Sequence, residues 1–162
     1  MKRISLRSTL SALVALLLFV LASALAFSAT FTTEPLTIHK ADGTTAAFTV
    51  ELAISADQRA QGLMNRKEMA VDQGMLFDFG LTRRVAMWMK NTYLPLDMLF
   101  IREDGTISRV AADTVPQSEA IIDSREPVHF VLELNAGTAA KLGIAPGDKV
   151  DSATIAAGDA KP

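Results

Sequence analysis

Between residues 48 and 54 the chain alternates with period two. Phe48, Val50, Leu52 and Ile54 fall on one side, Thr49, Glu51 and Ala53 on the other. A helix would scatter these residues around its axis. A strand places them on two faces, one for a core and one for solvent. Turn sequences recur through the chain at Ala41-Asp42-Gly43-Thr44, Glu103-Asp104-Gly105 and Pro146-Gly147-Asp148. Between them lie short runs suited to strands, at residues 36–39, 74–79, 84–90, 96–101, 106–111, 128–134 and 149–155. The run at 36–39 with the alternating strand at 48–54, and the two runs that flank Glu103-Asp104-Gly105, predict hairpins. Ser55 followed by Gln58 has capping-box spacing, so a short helix is expected over 56–61 with Gly62 as its stop. A second is expected over 136–142, closed by Gly143. Residues 63–73 read as a loop with one helical turn, and 116–127 as a polar surface loop. The expectation is a β-rich α+β fold. It is a compact antiparallel barrel-like or sandwich domain with two short helices, spanning residues 34–155, with a disordered tail at 156–162.

Residues 1–26 have a different character. Lys2, Arg3 and Arg7 precede an apolar, uncharged stretch that ends in small residues, with cleavage possible between 24 and 29. This is the pattern of a secretory signal peptide. The alternative is an uncleaved inner-membrane anchor, since the uncharged stretch approaches the ~20 residues that a bilayer needs. Either way the domain lies outside the cytoplasm, periplasmic or secreted, and contacts a membrane only through that segment. Loss of the leader leaves 13 bases against 18 acids, a net charge of −5. No basic stripe remains to neutralise phosphates, so no nucleic-acid partner is expected. An apolar fraction of 49% excludes a disordered chain. The lack of Cys excludes disulfides, thiol catalysis and zinc–thiolate sites.

Several segments, in order, resemble one family. They are Gly62-Leu63-Met64-Asn65-Arg66, Gly74-Met75-Leu76-Phe77, Met87-Trp88-Met89-Lys90-Asn91-Thr92, Pro95-Leu96-Asp97, Val131-Leu132-Glu133-Leu134-Asn135-Ala136-Gly137 and Gly147-Asp148-Lys149-Val150. The chain is similar, over nearly all of its length beyond the leader, to the domain of unknown function 192 family of bacterial and archaeal proteins. The resemblance implies a compact β-rich α+β domain, often behind a signal peptide. It brings no reaction, substrate, cofactor or catalytic residue.

The segment from Met87 to Asp97 concentrates the unusual side chains: the lone Trp88, the cation Lys90, Asn91, Thr92 and Asp97. On a strand Met87 and Met89 would share one face, and Trp88 and Lys90 the other. The plainest reading makes this a non-catalytic binding or interaction module for an envelope protein. Met87 and Met89 then fill the core while Asn91, Thr92 and Asp97 hold a turn. A second reading is a small polar, sugar-like ligand stacked on an accessible Trp88 and oriented by Lys90, Asn91, Thr92, Asp97 and Arg66. A third is Cu(I), held by the thioethers of Met87 and Met89 with His39 or His129 as a further ligand. The last is a hydrolase, pairing Asp97 with Asp78 or Asp123, or using His39 or His129 in a Ser–His–acid arrangement. Arg66 is expected to pair with Asp97 or Asp72. Gly62, Gly74 and Gly147 are expected at turns or caps.

Overall fold

The computed structural model describes residues 30–159, so the leader and residues 160–162 lie outside it. About half of the described residues are strand, in one curled seven-stranded sheet with three short helices around it. Strand β1 (Thr33–His39) and β2 (Thr45–Ala53) form the expected hairpin, in register from Thr33↔Glu51 to His39↔Thr45. Its turn is closed by Asp42, whose carboxylate accepts from the Thr44 backbone N–H at 2.8 Å and hydroxyl at 2.6 Å. Phe48, Val50 and Leu52 are buried while Ile54, just past the strand, is exposed.

Helix α1 (Ala56–Gln61) begins with the capping box its sequence spelled out. The Gln58 amide N–H donates to Ser55 Oγ at 3.1 Å, and the Ser55 N–H donates to Gln58 Oε1 at 2.9 Å. The helix carries the chain across to β3 (Gln73–Met87), which runs parallel to β2. This is the one parallel pair in a sheet that is otherwise antiparallel, and the helical crossover is what permits it. The two strand runs foreseen at 74–79 and 84–90 are one long strand. It is interrupted by a register shift between Asp78 and Arg83 against β6, and residues beyond Met87 leave the sheet.

Strands β4 (Leu96–Ile101), β5 (Ile107–Thr114) and β6 (Ile122–Asn135) complete the centre. The strand order is β5-β4-β6-β3-β2-β1-β7. β6 lies between β4 and β3 and is covered on both faces, so residues 128–134 are buried without a break. Phe130, Leu132 and Leu134 join Leu36, Phe48, Val50, Leu76 and Leu99 on one face. Val131 joins Met75, Phe77, Met89, Met98 and Phe100 on the other. The first face is capped by α2 (Thr138–Leu142), β7 (Lys149–Ser152) and α3 (Ala153–Asp159) through Ala139, Val150 and Ile155. Helix α3 is a correction. The sequence pointed to a strand running through Ile155 and a loose tail from Ala156, but the chain turns helical at Ala153 so that Ile155 reaches the core.

The two edges of the sheet meet at one end. A bridge joins Thr106 to Lys149, the Ile107 N–H donates to the Asp148 carbonyl at 2.9 Å, and the Val150 N–H donates to the Gly105 carbonyl at 2.9 Å. The seam depends on Gly105, which sits at φ +80 and whose Cβ, if present, would lie 2.5 Å from the Val150 carbonyl oxygen. Gly105→Ala is therefore expected to lower stability by about 1–3 kcal/mol. Urea denaturation measures it, and an unchanged midpoint would show that the seam contributes nothing.

Candidate functional site

The second face of the sheet carries the unusual chemistry. Glu133 on β6 points into it, between Met75 of β3 and Met98 of β4, its partners across the two ladders. Both methionines are fully buried and Glu133 itself is only 4% exposed. Its carboxyl has no ion-pair partner among the described residues, and burial pushes its pKa up to about 8. A carboxyl of this kind is neutral at pH 7.

Glu133 forms part of the wall of a pocket of about 120 Å3. The other walls come from three elements. Helix α1 and its C-cap supply Arg59, Gln61, Gly62, Leu63 and Met64; β3 supplies Phe77, Phe79, Ala86 and Met87; the turn after it supplies Trp88 and Thr92. Gly62 lets α1 end against the sheet. It sits at φ +47, and a Cβ there would lie 3.1 Å from the Phe77 ring. Arg59 reaches over the rim, donating to the carbonyls of Ile54 and Asp78, with its guanidinium 5.7 Å from the Phe79 ring centre. Arg83 lies 5.1 Å from the same ring.

Two of the expected ligand residues lie here. Trp88 is 45% exposed, as ligand stacking requires. Its ring lies 5.3 Å from Lys90 Nζ, which also pairs with Glu119 at 3.4 Å. Thr92 is buried and donates its hydroxyl to the Lys90 carbonyl at 3.2 Å. Asn91 is exposed at φ +54, a left-handed conformation that Asn tolerates, and its carbonyl accepts from the Asn65 N–H at 2.8 Å.

Asp97 and Arg66 are placed elsewhere. Asp97 is fully buried, and its carboxylate accepts from the backbone N–H groups of Asp113 at 3.0 Å, Gly137 at 3.2 Å and Ala139 at 2.8 Å. Helix α2 has no side-chain cap of its own, so this carboxylate from β4 caps it. Arg66 pairs with Glu51, not with Asp97 or Asp72. Two hydrogen bonds of 2.5 Å join them, and the guanidinium lies 5.6 Å from the Phe31 ring. The bidentate contact holds the Arg66 pKa above its ordinary value.

The metal and hydrolase residues are also dispersed. Met89 is sealed in the core, with its sulfur accepting from the Thr114 hydroxyl at 3.2 Å. Met87 is half-buried and packs against the same cluster. His39 is exposed at the end of β1. His129 is buried at the β3 irregularity, with Nε2 3.3 Å from Asp78 Oδ1 and Nδ1 3.3 Å from the Thr82 hydroxyl. Among the described residues no group of three His, Asp or Glu could hold a metal. Asp97, Asp78 and Asp123 each serve a different neighbourhood: three backbone amides, His129 with the Gly80 amide, and Arg84.

Sequence reasoning missed Glu133, Phe77, Phe79, Gly62 and Arg59 as site residues. The available signal was an acid inside Val128-His129-Phe130-Val131-Leu132-Glu133-Leu134, a run too apolar to have a solvent face.

The fold is thus a β-rich half-barrel with a small, partly aromatic pocket behind its parallel crossover. The sequence profile of the DUF192 family, described as "Uncharacterized ACR", matches residues 37–152, and the chain belongs to this family. The chain is 60% identical to a crystal structure described as a "putative transcription regulator" (R01717) from Sinorhizobium meliloti 1021. That match has a TM-score of 0.75 and covers 76% of this chain and 96% of that one. It is 35% identical to a protein of unknown function from Novosphingobium aromaticivorans DSM 12444, with a TM-score of 0.72 over 77% of this chain and 94% of that one. No curated protein matches the chain. No helix among the described residues is long and apolar enough to cross a membrane.

Proposed function

We propose that this protein is an exported, non-catalytic domain that binds a small organic ligand in the pocket between α1, β3 and Glu133. One observation carries the reading: a buried carboxyl without an ion-pair partner faces a cavity with aromatic walls. The Glu133 carboxyl forms part of the pocket wall and is available to a ligand that enters. The half-exposed Trp88 at the rim and the rings of Phe77 and Phe79 supply apolar contact. The pocket is small, about 120 Å3, which favours a ligand of few atoms over a large one. Export rests on the N-terminal segment, with an uncleaved anchor as the alternative arrangement. A nucleic-acid role, which the description of the Sinorhizobium relative raises, gains no support from the charges. Arg66, Arg84, Arg102 and Lys149 are each paired with an acid.

The test is a screen of fragments of about five to eight heavy atoms against the domain, a size set by the small cavity. Trp88 emission reports binding without a label, since the chain has one Trp. Ala86→Phe fills the pocket from an exposed position on its rim. Fragments that shift Trp88 emission saturably and fail to bind A86F are expected. A screen without hits, or hits that A86F retains, overturns the proposal.

A further inference from the structure

We propose that the pocket selects a small organic ammonium ion, with Glu133 as its counter-charge and Trp88, Phe77 and Phe79 around its alkyl groups. This deepens the preceding reading and rests on it.

The argument starts from what the wall residues still have to offer. Thr92 has given its hydroxyl proton to Lys90, and Arg59 donates to the Ile54 and Asp78 carbonyls. Glu133, only 4% exposed, is the one acid on the pocket wall and takes part in no ion pair among the described residues. A polyol would bring several hydroxyls to one such group and leave the rest desolvated. An anion would face a carboxyl. An alkylammonium has one polar centre and an apolar coat, which matches one acid among rings and thioethers. Aromatic faces attract such cations, and Trp does so most strongly. The ring faces at this rim already do this within the protein, since Lys90 lies over Trp88, and Arg59 and Arg83 lie over Phe79. The excess of acids over bases beyond the leader favours a cation at long range.

The charges packed around Glu133 are engaged with other groups. On α1, Arg59 is held at the rim as described. On β2, Glu51, which pairs laterally with Met75, is bound to Arg66. In the turn, Lys90 is held over Trp88 and paired with Glu119. The cross-strand neighbours on β3 and β4 are the uncharged Met75 and Met98. With its pKa pushed up to about 8, the acid of the empty pocket is protonated at pH 7. An arriving ammonium favours the ionised form, so the proton leaves to solvent as the cation enters.

Isothermal titration calorimetry at pH 8.5 with tetramethylammonium, n-butylammonium and 1-butanol tests this, with choice of ions matched by sodium chloride in every cell. Saturable binding of at least one ammonium, at least tenfold tighter than 1-butanol and weakened at least tenfold in Glu133→Gln, is the expected result. Equal affinity for n-butylammonium and 1-butanol, or an E133Q protein that binds the cations as well as the parent, overturns the ammonium assignment. The small-ligand reading survives that outcome if A86F-sensitive fragments bind. If no ammonium and no fragment binds, both fall. Trp88→Leu provides a second variant should E133Q not fold. Its loss of tetramethylammonium binding supports the assignment, and full retention overturns it.

Discussion

Glu133→Gln is expected to leave stability nearly unchanged at pH 5 and to raise it by about 2–4 kcal/mol at pH 8.5, an order-of-magnitude figure from proton linkage. The sign follows from direction. Burial raises the folded-state pKa from an ordinary 4.5 to about 8. Between those two values the native protein holds a proton that the unfolded chain has released. The favourable contribution is complete below the lower value and lost as pH rises through the upper one. Each pH unit of that interval removes about 1.4 kcal/mol, and water entering the pocket trims the total. Asp104, held down to about 2 by Lys149 and Thr106, titrates well below this range. Urea denaturation of both proteins at pH 5, 6.5, 8 and 9 isolates Glu133, because every other group cancels in the difference. Two parallel curves would show that the carboxyl is solvated in the native protein.

Asp97→Ala has the second large expected effect, a loss of about 3–5 kcal/mol. Three backbone N–H groups converge on this carboxylate from β5, from the N-cap of α2 and from the first turn of that helix. The truncation leaves those donors facing a cavity. Asp97→Asn keeps one acceptor oxygen and is expected to lose less. Ligand affinity per folded molecule should not change, because Asp97 lies outside the walls of the pocket. Calorimetric titration at a temperature where the variant remains folded checks this. A variant as stable as the parent would show that the three bonds contribute nothing.

These two acids show what the sequence could and could not reveal. Both stand in apolar runs, Leu96-Asp97-Met98-Leu99 and Val131-Leu132-Glu133-Leu134. Local pattern says only that each is buried on a strand. Whether a buried acid meets three amide donors or an open cavity depends on α2 and α1, which arrive from 40 residues later and 70 residues earlier in the chain. Local signals were legible wherever the physics is local. The capping box of α1, the first hairpin and its Asp42 turn, and the alternation of β2 all appear as written. The parallel pairing of β2 with β3 was not legible, because the crossover helix is only six residues long and the strands around it suit either direction. Nor was the continuity of β3, since Gly80, which sits at φ +73 in the irregularity between Asp78 and Arg83, reads as a break. Helix α3 was missed because the position of Ile155 under Phe130's side of the core is set by the whole first face. The Met87–Asp97 segment drew attention for its rare residues. Rarity located Trp88 at the rim, but the chemistry of the site lies on β6.

Strand β7 lies against β1, with Leu36 opposite Ser152 and Ile38 opposite Val150. The first strand of the domain thus finds one of its two partners only after nearly everything between them has been made. Closing so long a loop is an entropic debt settled late, and such pairings slow folding. During synthesis β1 therefore waits, with its outer edge unsatisfied, until residues 149–152 are available. The β1–β7 ladder is thus the last pairing of the sheet that the growing chain makes possible, and the edge of β1 facing away from β2 is closed by the final strand of the domain.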